Sequence, residues 1–131
     1  MEFRDLKKQY EVYKKEIDGA INNILSQGDF ISGDEVSVLE RRLAQYIGVK
    51  HCITCANGTD ALSLVLMAWG IKQGDAVFVP DFTFFATAEV VSYCGATPVF
   101  VDVDKDTYNI NVNKLENAII KVLEEGKLKP K

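Results

Sequence analysis

The stretch from Cys52 to Leu66, Cys-Ile-Thr-Cys-Ala-Asn-Gly-Thr-Asp-Ala-Leu-Ser-Leu-Val-Leu, constrains this chain more than any other. Cys52 to Cys55 are β-branched or small and read as a short buried strand. From Ala61 onward the residues are strongly apolar helix formers. Between them lie Asn57, Gly58, Thr59 and Asp60, which can turn sharply and cap a helix. A strand that turns on a glycine into a helix aims unpaired backbone N–H groups, and the positive end of the helix dipole, at one spot. Such a spot suits an anion, commonly phosphate. An ordinary strand-to-helix turn with a good cap fits these residues equally well.

The rest of the chain alternates in the same manner. Leu6, Tyr10, Tyr13, Ile17, Ile21, Ile24 and Leu25 form one helical stripe that Gly28 ends. Ser32 with Glu35 has the spacing of a capping box, and Val36, Leu39, Leu43, Tyr46 and Ile47 continue at helical steps until Gly48. After the glycine turn a helix is predicted from about Asp60 to Trp69. A continuously apolar strand, Ala76 to Val79, then runs into Pro80. A loop from Asp81 to Phe85, a helix from about Ala86 to Tyr93, a break at Gly95 to Pro98 and a strand from Val99 to Val103 follow. Asp104 to Asn111 is rich in turn formers. Asn113 with Glu116 makes another capping pattern before a last helix, and the tail Gly-Lys-Leu-Lys-Pro-Lys reads as its end and a linker. The fold class is therefore α/β: a parallel βαβαβ core preceded by two helices, in a single domain spanning residues 1–131.

At 131 residues, with 47% apolar and 26% charged residues, the chain can bury one core. A net charge of −4 with mixed signs offers no basic patch for a nucleic acid. The run Ala61 to Ile71 is too short to span a bilayer, and the charged start Met-Glu-Phe-Arg-Asp lacks an apolar signal core, so no membrane role and a cytoplasmic location are expected. Three cysteines, 52, 55 and 94, fit reduced thiols. A zinc site at Cys52 and Cys55 would need two more ligands, with only His51 and Cys94 as further soft candidates, so buried strand cysteines are preferred to any metal site.

Ligands of parallel α/β sheets bind at the carboxyl ends of the strands, the edge where Gly58-Thr59-Asp60 and the loop from Asp81 to Phe85 are both expected. The first loop offers backbone N–H groups and the Thr59 hydroxyl. Asp60 would repel a phosphate in direct contact, so its side chain is expected to cap the helix while its amide N–H faces the ligand. Phe84 could lie over a flat ligand, whereas Phe85 is expected on the sheet. No G-x-G-x-x-G and no G-x-x-x-x-G-K-[ST] occurs. Asp81 stands roughly 20 residues past the glycine turn, where a dinucleotide fold places its ribose-binding acid, but without the glycine pattern.

Several linked motifs, in order along nearly the whole chain, resemble the N-terminal part of the DegT/StrS-type sugar aminotransferases. They are Ile31-Ser32-Gly33 with Glu35-Val36 and Leu39-Glu40, Asn57-Gly58-Thr59-Asp60-Ala61-Leu62, Gly70-Ile71 with Gly74-Asp75, and Pro80, Thr83-Phe84 and Ala86-Thr87-Ala88. Gly95-Ala96, Pro98 to Asp104 and Thr107-Tyr108-Asn109-Ile110 complete the set. The resemblance implies the start of the large domain of a fold-type-I transferase that uses pyridoxal 5′-phosphate. Such an enzyme moves an amino group, usually from glutamate, onto a keto-sugar attached to a nucleotide, and works as a homodimer. It implies that Gly58, Thr59 and Asp60 hold the cofactor phosphate and that Phe84 lies against the pyridine ring. It also implies that the Schiff-base lysine and the aspartate facing the pyridine nitrogen lie downstream of Lys131. No catalytic residue is therefore assigned here, and the chain alone is expected to be inactive and, with an open sheet edge, to self-associate. The alternatives are a non-catalytic protein that binds a phosphorylated ligand or serves in assembly, and a small Rossmann-like nucleotide-binding enzyme.

Overall fold

The computed structural model describes residues 3–131, which fall into two compact units divided between Thr54 and Cys55. The first holds two helices. Asp5 caps α1 (Leu6–Gln27) by accepting from the Lys8 amide at 2.9 Å, and Gly28, at φ 78°, closes it in the left-handed region where glycine carries no Cβ penalty. No α1 residue is buried: its stripe, including Tyr13, Ile21 and Leu25, stays exposed. The second helix, α2 (Asp34–Ile47), departs from the expected capping box. Its N-cap is Gly33, with no side-chain cap, and Ser32 sits at φ 53°. A Cβ on residue 33 would stand 2.8 Å from the Asp29 carbonyl oxygen, so the chain passes too close there for any residue but glycine.

The second unit carries the sheet. In chain order come α3 (Gly58–Ala68), β1 (Asp75–Pro80), α4 (Ala86–Tyr93), β2 (Thr97–Val101), α5 (Val112–Glu125) and β3 (Lys129–Pro130). Both neighbours of β1 are parallel to it, in the order β2-β1-β3, with Phe78 opposite Val99 and Ala76 opposite Pro130. Parallel neighbours need crossovers, and α4 and α5 supply them. The βαβαβ pattern is therefore present, and two of its three strands, β1 and β2, are those expected; the third is not. Cys52–Cys55 forms no strand: no neighbour pairs with it, and Ile53 is 81% exposed. The preferred buried cysteines fail with it, since Cys55 is exposed and Cys52 and Cys94 are half-buried; all three are free thiols. No metal-binding cluster occurs among the described residues.

The third strand comes instead from the tail read as a linker. The Lys129 and Lys131 amides donate to the Gly74 and Ala76 carbonyls at 2.8 and 3.0 Å. Pro130 has no N–H to give a ladder, but β3 is an edge strand and the amides that bond β1 are those of Lys129 and Lys131, so it is tolerated. Other boundaries shift slightly. β2 begins two residues early and stops at Val101, leaving Val103 in an isolated antiparallel bridge with Ile110. Asn111, not Asn113, caps α5, accepting from the Lys114 amide at 3.0 Å.

The core lies where α3 and α4 cover one face of β1: Ile71, Val79, Val91 and Ala96 are buried together, with Leu66, Val77, Ala88 and Cys94 packed on them. Among the described residues no helix is long and apolar enough to cross a membrane.

Candidate functional site

Two features of the second unit carry chemistry, the start of α3 and the loop after β1. Asn57 is the N-cap of α3. Its Oδ1 accepts from the Asp60 amide at 2.9 Å, and its Nδ2 donates to the Asp60 carboxylate at 3.1 Å. The first intrahelical bond runs from the Ala61 amide to the Asn57 carbonyl at 3.1 Å. The amides of Gly58 and Thr59 precede that bond and belong to the set a helix cannot satisfy internally. This corrects the expected division of labour. Asp60 does not cap the helix with its side chain, and its N–H is already engaged by Asn57. A residue three positions ahead of Asp60 has the spacing of an N-cap, and that was the signal available in the sequence.

Gly58 is informative by what its position does not require. Its φ is not positive, and a Cβ added there would meet nothing within 4 Å. Neither backbone conformation nor packing among the described residues accounts for a glycine. The space beside it is open to a ligand. The donor set also suits a phosphate: two open amides on a helix N-terminus, with the Thr59 hydroxyl beside them.

The loop after β1 starts from a fixed point, since the Asp81 amide donates to the Val101 carbonyl at 3.0 Å. Thr83 and Thr87 hydroxyls lie 3.0 Å apart, and the Thr87 amide donates to the Phe84 carbonyl at 3.0 Å, closing the loop onto α4. Phe84 is 79% exposed and lines a cavity of about 250 Å³ with Pro80, Asp81, Thr83, Phe85 and Phe100 among its walls. Its ring is therefore free to face a ligand. Phe85 departs from expectation: it is exposed rather than packed on the sheet, because it occupies the position just before α4 and the buried side chain of that turn is Ala86. The Thr59 end of α3 does not line this cavity, so the two features do not share one pocket; α3 packs against α4, the helix that follows the Phe84 loop.

A third, unforeseen feature adjoins the loop. Asp104 organises the turn after β2, accepting from the amides of Asp106 at 3.0 Å and Thr107 at 3.1 Å. These N–H groups, Asp106 first, hold its carboxyl below the ordinary carboxylate range, with the Thr107 hydroxyl adding to them. Asp102, paired with Lys114, is likewise lowered. A carboxyl depressed in the fold stabilises it above the usual carboxylate range and loses that contribution as pH falls through the lowered value. The amide resonances of Asp106 and Thr107 are therefore expected to move with an acid midpoint below that of an ordinary aspartate. Asp104→Asn is expected to abolish that transition; a midpoint at or above the ordinary aspartate value would contradict the turn described.

Parallel α/β sheets bind their ligands at the carboxyl ends of the strands, where the loop from Asp81 to Phe85 leaves β1. Comparison with known proteins gives this arrangement its family. The model of the DegT/DnrJ/EryC1/StrS aminotransferase family matches residues 11–122, and the chain belongs to that family. It is 52% identical over 119 residues to a UDP-2-acetamido-2-deoxy-3-oxo-D-glucuronate aminotransferase of Pseudomonas aeruginosa, covering 91% of this chain and 33% of that protein. It superimposes on a DegT DnrJ EryC1 StrS aminotransferase from Brucella abortus with a TM-score of 0.92 and 53% identity, over 100% of this chain and 35% of that one. It also matches the PLP-form of Spr1654 from Streptococcus pneumoniae, with a TM-score of 0.65 and 38% identity over 67% of this chain and 22% of that one. The chain thus spans about a third of the length of the curated relatives it matches.

Proposed function

We propose that this chain supplies the cofactor-phosphate part of a cytoplasmic, homodimeric aminotransferase. The enzyme would use pyridoxal 5′-phosphate to move an amino group from glutamate onto a nucleotide-linked keto-sugar. The observation that carries the reading is the open pair of amides at Gly58 and Thr59, with free space where a Cβ on residue 58 would stand. Similarity to an aminotransferase of a UDP-linked oxo-sugar supports the substrate class.

When bound, the cofactor supplies the electron sink that amino transfer needs. This chain's own residues bind and orient it. Gly58 and Thr59 donate their amides to the phosphate, and the Thr59 hydroxyl adds a third donor. Asp60 contributes through its hydrogen bonds with Asn57, which keep the first turn of α3 in shape. Phe84 lies against the flat ring and limits its tilt. No catalytic residue is assigned to these 131 residues, and they are expected to be inactive alone.

Replacing Phe84 by alanine is expected to weaken cofactor binding by about 2- to 10-fold, the range of one aromatic contact, while Phe84→Tyr retains it. A titration of each variant checks this; unchanged affinity in Phe84→Ala would remove Phe84 from the site. For the substrate, the full chain as its gene encodes it should aminate a UDP-linked keto-sugar in the presence of glutamate. Failure with every nucleotide-linked keto-sugar tried, despite bound cofactor, would sink the substrate assignment and leave the cofactor site standing.

A further inference from the structure

Tyr108 is the one residue of the second unit outside glycine that lies in the left-handed region, at φ 58°. A tyrosine there is disfavoured by its Cβ and persists only where its surroundings hold it. Its surroundings supply that hold. The Tyr108 amide donates to the Asp104 carbonyl at 2.8 Å, and the Asp104 amide donates to the Asn109 carbonyl at 2.8 Å. The Asp104 carboxylate gathers the amides of Asp106 and Thr107, and the Asn111 amide returns to the Asp102 carbonyl at 3.0 Å. The turn is closed on both sides of the strained residue.

The strain has a visible result. It aims the Tyr108 ring at Phe82, with ring centroids 5.5 Å apart and planes inclined at 38°. That separation is within the range of a favourable aromatic pair. The pairing does not arise from burial, since Phe82 is 67% exposed and Tyr108 63%. Phe82 lies two residues before Phe84 in the loop that follows β1. The same loop is tied to the end of β2 through Asp81 and Val101. The segment bearing Phe84 is thus held to the β2 side at two points, one backbone and one aromatic.

We propose that Tyr108 is a positioning residue: through Phe82 it fixes the loop that presents the Phe84 ring to the cofactor. The inference rests on the cofactor reading above and adds to it a residue that touches neither phosphate nor ring. The tyrosine hydroxyl has no part in the pairing, so the ring alone should suffice. The left-handed backbone has a use on this reading, because a residue at ordinary φ would turn the ring elsewhere.

The test uses the full chain as its gene encodes it and two readouts. One is the ring order of Phe82 and Phe84, by relaxation of ¹³C-labelled phenylalanine in the free protein. The other is affinity for pyridoxamine 5′-phosphate, with the visible circular dichroism of bound pyridoxal 5′-phosphate as the sign of ring orientation. Tyr108→Ala is expected to loosen both rings, weaken affinity about 2- to 10-fold and change the dichroic band, whereas Tyr108→Phe restores all three. Phe82→Ala, altering the pair from its other side, should reproduce the effects of Tyr108→Ala on Phe84 order, affinity and the dichroic band, with no further loss when the two are combined. This second variant keeps the test decisive if Tyr108→Ala does not fold.

Unchanged Phe84 order and affinity in Phe82→Ala, or a Tyr108→Phe as impaired as Tyr108→Ala, would overturn the positioning role and leave the cofactor site intact. An unaltered protein that binds no cofactor would overturn the cofactor reading, and the positioning role with it, whatever the rings do.

Discussion

Thr59→Val is expected to weaken binding of pyridoxamine 5′-phosphate by about 10- to 100-fold, the value of one hydrogen bond to a charged partner. Valine keeps the shape and removes only the hydroxyl, so the helix start should survive. Thr59→Ser, which restores the hydroxyl, should recover most of the affinity. Gly58→Ala separates the site from the fold in a complementary way. With open space around its Cβ and no positive φ, alanine should not lower stability, because it is the better helix former. A methyl group there should nevertheless obstruct the phosphate. Binding lost with stability kept is the pattern that identifies a ligand position. Isothermal titration beside a urea melt reads both quantities.

The second large effect concerns the core. Val91 is 1% exposed and sits among Ile71, Val79 and Ala96, where α4 covers β1. Val91→Ala removes two methyl groups from that contact and leaves a cavity, costing about 2–3 kcal/mol. Val36→Ala, on a residue 38% exposed in the other unit, should cost well under about 1 kcal/mol. Midpoints of urea denaturation compare the two. Equal shifts would mean that the packing of α4 on β1 does not dominate stability. The consequence reaches function, because α4 begins where the Phe84 loop ends.

How legible this was in the sequence depended on whether the deciding interactions were local. The helix limits at Gly28 and Gly48, and α4 between Pro80 and Gly95, were readable because periodicity and glycine stops act within a few residues. The apolar run of β1 identified a strand covered on its faces. Strand pairing is not local, and there the reading failed twice. Cys52–Cys55 has strand composition but no partner, while the polar-looking Lys129–Pro130 has one in Asp75 and Ala76. Composition cannot distinguish these cases.

The caps show the same division at smaller scale. Ser32 has the residue type of a cap, but it sits at φ 53° and the N-cap is Gly33, one residue later. Asn57 outcompeted Asp60 because its side chain reaches forward to the Asp60 amide. Gly58, Thr59, Asp60 and Phe84 were all marked from the sequence as candidate site residues, through turn chemistry and family motifs. The Phe82–Tyr108 pair was not, since it joins two loops 26 positions apart through a backbone angle that no propensity favours.

The most direct test of the cofactor-phosphate site is an amide spectrum of ¹⁵N-labelled protein titrated with pyridoxamine 5′-phosphate and, separately, with pyridoxamine. Neither ligand carries an aldehyde to react with the surface lysines. The expected result is saturable movement of the Gly58 and Thr59 amide resonances with the phosphorylated ligand, and little movement with the other. Equal responses to both ligands, or binding that leaves Gly58 and Thr59 unmoved, would contradict a phosphate site at the start of α3.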